Sequence, residues 1–325
     1  MKVGFCVVNY SEWKLEDVVR LAAEKGYEAV ELPSYEGNGQ VDADDLLKGN
    51  KAAAVKKMIA DHGLEISAIS NHADTPLIMG PHGRDVASVC DGTPAEQIAF
   101  GTKSVIRSAQ LANALEAPVV IAFSGVGSFG RFNDWPYPGG WADEEKAFVD
   151  NWGPVFDKVN EYGVRIAFEP HPNNFIYDLH TSRRAVELVD NHPACCFNLD
   201  PANMLFTGIS IGAYVDEMKD RIIAVHAKDC EIVEHNLPRG GLWMYQGNWG
   251  ELHRSFRFRI PGWGSVNWKS MITELFMVGY NGVVSYEHED VIMSRADGVD
   301  KTIAFLKPLM IHAPYEGRSD KLFTR

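Results

Sequence analysis

Cysteine is scarce: five in 325 residues, at positions 6, 90, 195, 196 and 230. No Cys-x-x-Cys pair occurs, the number is odd, and Cys195 and Cys196 are adjacent. That argues against a disulfide framework or a thiolate zinc site and points to free, mostly buried thiols. Positive charge is also short, with 31 Lys and Arg against 44 Asp and Glu and a formal net charge of −13. Such a surface repels phosphate backbones and anionic bilayers, so neither nucleic acid nor a membrane is expected as a partner. Apolar runs approaching the ~20 residues of a membrane span are missing. The first ten residues lack the basic and long apolar stretches of a secretory leader, so a cytoplasmic location is expected. Nor does a Gly-x-Gly-x-x-Gly fingerprint follow the first apolar run, where Val8-Asn9-Tyr10-Ser11-Glu12 stands instead, so no nucleotide cofactor is expected.

What is present is a regular alternation. Short Val/Ile/Phe/Ala-rich runs at 2–10, 29–33, 65–72, 118–125, 164–171, 195–203, 222–229 and 282–290 read as strands. Amphipathic segments near 15–25, 51–62, 95–115, 144–162, 181–190, 210–219, 267–278 and 297–312 read as helices. Continuous apolar strands imply cover on both faces, and strict β–α alternation implies a parallel sheet. Eight rounds predict closure into a single α/β (β/α)8 TIM barrel over residues 1–312, with 313–325 as a C-terminal arm. Three connections are long, at 73–94, 126–143 and 230–264. Each follows the C-terminal end of a strand, the catalytic face of this fold. The last two are rich in aromatics, among them Trp135, Tyr137, Trp141, Trp243, Tyr245 and Trp249.

Chemistry-bearing residues recur at the ends of strands five to eight. These read Phe168-Glu169-Pro170-His171, Asn198-Leu199-Asp200-Pro201, Val225-His226-Ala227-Lys228-Asp229 and Tyr286-Glu287-His288-Glu289-Asp290. At comparable depth on consecutive strands, Glu169, Asp200, His226 and Glu287 would converge on one point. Three carboxylates and an imidazole make a hard ligand set, suited first to Mn²⁺ and otherwise to Mg²⁺, Co²⁺, Zn²⁺ or Fe²⁺. Without a cation the carboxylates would repel one another.

These motifs give the chain its resemblance to the sugar phosphate isomerase/epimerase superfamily, the xylose-isomerase-like metal barrels. The likeness runs from Gly4-Phe5 to Leu306 and implies the same ligands, Glu169, Asp200, His226 and Glu287. The Ile69-Ser70-Asn71-His72 strand end and Arg257-Phe258-Arg259 before Pro261-Gly262-Trp263-Gly264 resemble a narrower branch. That branch acts on sugars already oxidised to a keto form and includes the large subunit of C-glycoside deglycosidases. The resemblance therefore implies an enzyme that removes the proton next to a carbonyl. The enediolate then leads to β-elimination that cleaves a (C-)glycoside, or alternatively to isomerisation or epimerisation. It also implies a small partner subunit and an oligomer. An abasic-site endonuclease shares the fold and is a distant alternative that the −13 charge disfavours.

In related epimerases the first and last metal-bound glutamates shuttle protons, which maps to Glu169 and Glu287. His171, two residues beyond Glu169 on an extended strand, shares its side and is a further candidate base or a support for the ligands. His72, Trp135, Lys228 and Arg259 are candidate substrate contacts. Lys228 is also expected to pair with Asp229, and Arg259 to pair at the surface with its neighbours' partners. His288, alternating with Glu287, is expected to point away from the barrel axis. No phosphate nest is evident after strands seven and eight, while aromatic faces in the loops suit sugar rings or flat aglycones.

Overall fold

The computed structural model describes residues 1–129, 133, 137–242, 245 and 247–314. Its elements run β1 (Lys2–Cys6), α1 (Leu15–Lys25), β2 (Ala29–Pro33), α2 (Ala43–Leu46), α3 (Lys51–Asp61), β3 (Glu65–Asn71), α4 (Pro94–Leu115), β4 (Val119–Ala122) and α5 (Gly140–Glu161). There follow β5 (Arg165–Phe168), α6 (Leu179–Leu188), β6 (Cys195–Leu199), α7 (Pro201–Thr207), α8 (Ile211–Met218), β7 (Ile222–Ala227), β8 (Asp229–Ile232) and α9 (Leu237–Gly240). The last are β9 (Phe256–Arg259), α10 (Trp268–Met277), β10 (Val283–Tyr286) and α11 (Arg295–Leu306). Strands β1 to β7 and β10 pair in parallel, in chain order, and β10 closes on β1. The chain is a single (β/α)8 TIM barrel. Among the described residues no helix is long and apolar enough to cross a membrane.

Helices form where apolar spacing and caps coincide. In α1, Leu15, Val18, Val19 and Ala22 bury one stripe, and Gly26 ends the helix in the left-handed region at φ 88°. A capping box of Thr93 and Glu96, with Pro94 in the first turn, starts α4. Between strands and helices lies an aromatic packing layer: Phe148, Trp152, Phe156 and Phe168 are all fully buried. Inside the barrel, small Ala68, Ala167 and Ala224 pack with Val119 and Ile121 as a separate apolar cluster.

Several expected strands are shorter than their apolar runs. β1 stops at Cys6 and Val7–Tyr10 coils into a 3-10 turn. β6 stops at Leu199 because Asp200 caps α7 and Pro201, with no N–H to give a ladder, occupies its first turn. The run expected at 222–229 divides at Lys228: β7 stays in the barrel, and Asp229–Ile232 leaves it to pair antiparallel with Phe256–Arg259. The loop expected over 230–264 therefore carries a two-stranded ribbon above the barrel mouth.

Gly125 closes the turn after β4 at φ 68°, and a Cβ there would overlap the Pro76 carbonyl. Gly125→Ala is expected to cost at least about 2 kcal/mol, from left-handed strain plus backbone displacement. Urea denaturation measures it; a loss below about 0.5 kcal/mol would mean that the turn relaxes freely.

Candidate metal centre

The four strand ends do converge. Ligand atoms of Glu169, Asp200, His226 and Glu287 all lie within 4.8 Å of one another. Glu169 continues the β5 ladder, its N–H donating to the Ala122 carbonyl at 3.0 Å. His226 stands within β7, and Glu287 follows β10. Asp200 divides its two oxygens: Oδ1 caps α7 by accepting from the N–H groups of Ala202 (2.8 Å) and Asn203 (3.4 Å), which leaves Oδ2 for the centre.

Outer contacts aim these groups. Asn203 and Asn198 donate to Glu169 Oε1 (2.7 Å) and Oε2 (3.0 Å), while His72 Nε2 lies 3.3 Å from Oε2. His226 Nε2 meets both Glu31 oxygens, at 3.3 and 3.2 Å, so its Nδ1 faces the ligand carboxylates, 3.0 Å from Glu169 Oε2. A carboxylate behind a histidine fixes the tautomer and orientation of a ligating imidazole. Sequence reasoning missed Glu31. Its signal is one carboxylate in an otherwise apolar, fully buried strand, and a register shift between Val30 and Glu31 accompanies its placement. A second register shift, between Phe197 and Asn198, falls at the other supporting residue.

Lys228 departs from its expected pairing with Asp229. Its buried ammonium lies 2.8 Å from Asp200 Oδ2, 2.8 Å from Glu287 Oε2 and 3.4 Å from Glu289 Oε2. Asp229 instead accepts from the N–H groups of Cys230, Gly262 and Val266 and from Trp268 Nε1, tying the ribbon to the segment before α10. A strand leaving the barrel between these residues sends neighbouring side chains to different places.

The charges are strongly coupled. Burial pushes Asp200 up to about 7, opposed by the Lys228 charge. Burial would raise Glu169 as well, but the charges of His226 and Lys228 outweigh it and hold the carboxyl well below its usual range. Glu289 is raised, chiefly by burial. Burial lowers His171, against the opposing charge of Glu169, which favours the neutral imidazole. With Nδ1 donating to the Pro172 carbonyl at 2.7 Å, His171 Nε2 is left as an acceptor.

A divalent cation fits this donor set. Among the described residues Glu31, Glu169, Asp200, Glu287 and Glu289 face Lys228, His226 and His72, which leaves negative charge in excess. Asp200 Oδ2 and His226 Nδ1, both buried, have no aligned hydrogen-bond partner among the described residues. Both belong to the four-residue cluster, and oxygen ligands with one imidazole suit a hard or borderline ion.

Above the ligands opens a cavity of about 660 Å³ lined by Glu31, His72, Glu169, His171, Lys228 and Glu287, among others. Of the expected substrate contacts, His72 and Lys228 line it. Trp135, like Trp243, lies outside the described residues. Arg259 is not in the wall: it binds Asp290 Oδ2 (3.0 Å) and Glu231 Oε2 (2.9 Å), locking the ribbon to the segment after β10. His288 borders the cavity, but its imidazole turns away from Glu287 and Glu289 as expected, bonded to the Tyr286 hydroxyl and set against Gly298 of α11. Glu287 and Glu289 share the opposite side, both reaching Lys228, so the alternation runs on past β10. Trp141 stacks on Phe175 with centroids 5.1 Å apart, whereas Trp249 lines the cavity.

Residues 19–309 match the family model described as xylose isomerase-like TIM barrel. The chain belongs to this family. It is 24% identical to the uncharacterized protein YfiH of Bacillus subtilis, over 94% of this chain and 98% of that one. Among solved structures it is similar to the probable 3-DHS dehydratase AsbF of Bacillus anthracis (TM-score 0.67, 19% identity, 94% and 99% of the two chains). It is equally similar to the 3-keto-D-glucoside 4-epimerase YcjR of E. coli (TM-score 0.67, 17% identity, 95% and 99%). The IOLI protein, solved with a zinc atom, gives a TM-score of 0.65 at 16% identity over 95% and 98%. At these identities the structural matches establish the fold.

Proposed function

We propose that this barrel is a divalent-metal-dependent carbohydrate enzyme that enolises a keto-sugar or 3-oxo-glycoside, and that its leading outcome is β-elimination cleaving a glycoside, as in the C-glycoside deglycosidase large subunit. The observation that carries the reading is a pair of titratable groups outside the four-ligand set, His171 beyond β5 and Glu289 beyond β10, in the wall of one cavity. A bound cation supplies a Lewis acid for the carbonyl. His171 Nε2 takes the proton from the carbon beside that carbonyl, and the C–H electron pair becomes the new C=C bond. The bond to the aglycone on the next carbon breaks, and the aglycone leaves with a proton from Glu289. His72 and Lys228 donate to sugar oxygens from the cavity wall. The named substrate of YcjR is a keto-glucoside and AsbF is named a dehydratase, which supports oxidised-sugar substrates and elimination chemistry on this scaffold.

A second reading, epimerisation or isomerisation, rests on Glu287, which borders the same cavity. Glu169 suits a proton shuttle less well, because both its oxygens are already held by the Asn198 and Asn203 amides. Incubation with a 3-oxo-glycoside separates the readings: released aglycone supports elimination, and an isomeric sugar without release replaces it with the second.

His171→Ala is expected to keep the metal and to lower kcat by about 10²–10⁴-fold, the usual worth of a general base. Metal analysis alongside turnover checks it; loss of the metal would reassign His171 to ligand support.

A further inference from the structure

The cavity above the ligands does not end at the barrel mouth. A second hollow of about 380 Å³ shares Trp249, His288 and Glu289 with it and continues to Val291, Met293 and Arg295. The main chamber already falls within the ~300–1,000 Å³ of clefts that take drug-sized ligands, more room than one sugar ring needs. Of the residues that wall the extension, Trp249, Val291 and Met293 are apolar, and Trp249 is 48% and Val291 49% exposed.

Both walls are held in place. Arg254 stacks on Trp249, its Cζ 4.4 Å from the ring centroid, and Phe258 backs the indole at 5.0 Å. Opposite, Asp290 Oδ1 accepts from the N–H groups of Ile292 and Met293, each at 2.9 Å, while Oδ2 is anchored by Arg259. A preformed apolar slot binds a ring with little ordering cost. Its charge is unsuited to an anion: Glu289 and Asp290 border it, and Arg295 at the far end already pairs with Glu12 and the Asn9 carbonyl.

We infer that this lobe is a subsite for a second, uncharged ring stacked on Trp249, so that the substrate is a two-ring glycoside and not a free monosaccharide. The inference rests on the glycoside reading above and adds the class of group attached to the reacting sugar. An aryl group and a second pyranose both present the needed apolar face.

Ligand-observed NMR titration of the Mn²⁺-loaded protein tests it with methyl β-glucoside, phenyl β-glucoside and cellobiose. One or both ring-bearing ligands should bind about tenfold tighter than the methyl glucoside. A preference for the phenyl compound alone identifies an aryl occupant; a preference for both identifies a general ring site. Val291→Asp, at an exposed position, should bring the ratio to about 1. Equal affinities in the native protein, no binding of any of the three, or a ratio that survives Val291→Asp overturns the subsite. Turnover of the 3-oxo counterparts reports separately on the reaction. A ring preference without turnover removes the proposed function alone, and turnover without a ring preference removes the subsite alone.

Discussion

Asp200→Asn is expected to empty the centre of metal and to lower kcat/KM by more than the ~10–100-fold typical of losing an outer-shell partner. The substitution isolates charge from fold. Asn is as good an N-cap as Asp, so its side-chain oxygen can still accept from the Ala202 and Asn203 N–H groups and α7 should persist. What changes is the second position, where a carboxylate oxygen without an aligned partner is replaced by an amide donor facing Lys228. Glu169→Gln, His226→Ala and Glu287→Gln should act alike, because each removes one of the four converging donors. Metal content by mass spectrometry, circular dichroism and turnover together decide the matter. A well-folded Asp200→Asn protein that keeps its metal and near-native activity would show that Asp200 is not a ligand.

The second large effect concerns Lys228. Lys228→Met keeps most of the stem against Phe258, whose ring centroid lies 4.8 Å from the ammonium, but leaves Asp200 and Glu287 without their nearest cation. Removing one member of a buried charge group costs about 3–5 kcal/mol. The loss should be largest in chelator, where nothing else balances the carboxylates. It should shrink in Mn²⁺ if the variant, its carboxylates freed from the ammonium, binds the ion more tightly; a tenfold lower Kd recovers about 1.4 kcal/mol. Urea denaturation of native and variant proteins, with and without metal, gives the four numbers required. Equal stability of the two proteins in chelator would mean that the carboxylates are protonated or hydrated without help from Lys228.

Much of this was readable in the chain. Val119–Ala122 and Cys195–Leu199 are apolar enough to be recognised as covered strands, and Thr93, Glu96 and Pro94 mark the start of α4. Strand ends bearing Glu169, Asp200, His226 and Glu287 could be aligned because a parallel barrel places all of them at one mouth. Glu31 was not legible, since a lone glutamate in a short strand shows neither which way it points nor that β2 shifts register there. Lys228 and Asp229 looked like an ion pair because opposite charges are adjacent in the chain; the break between β7 and β8 sends them to different partners. His288 was legible for the opposite reason: alternation carries past the end of β10, so its imidazole joins Tyr286 against α11 while Glu287 and Glu289 face Lys228.

By itself, then, the sequence determined the class of fold and pointed to the four side chains that converge at its mouth. Hydrophobic periodicity and the residue types at strand ends are local properties that survive without coordinates. Tertiary structure alone decided which groups face the cavity. Contacts such as Glu31 with His226 and Lys228 with Asp200, and the hollow lined by both Trp249 and Val291, join residues far apart in the chain or on irregular segments. They exist because closing the barrel brings the strand ends together and draws the ribbon over the mouth.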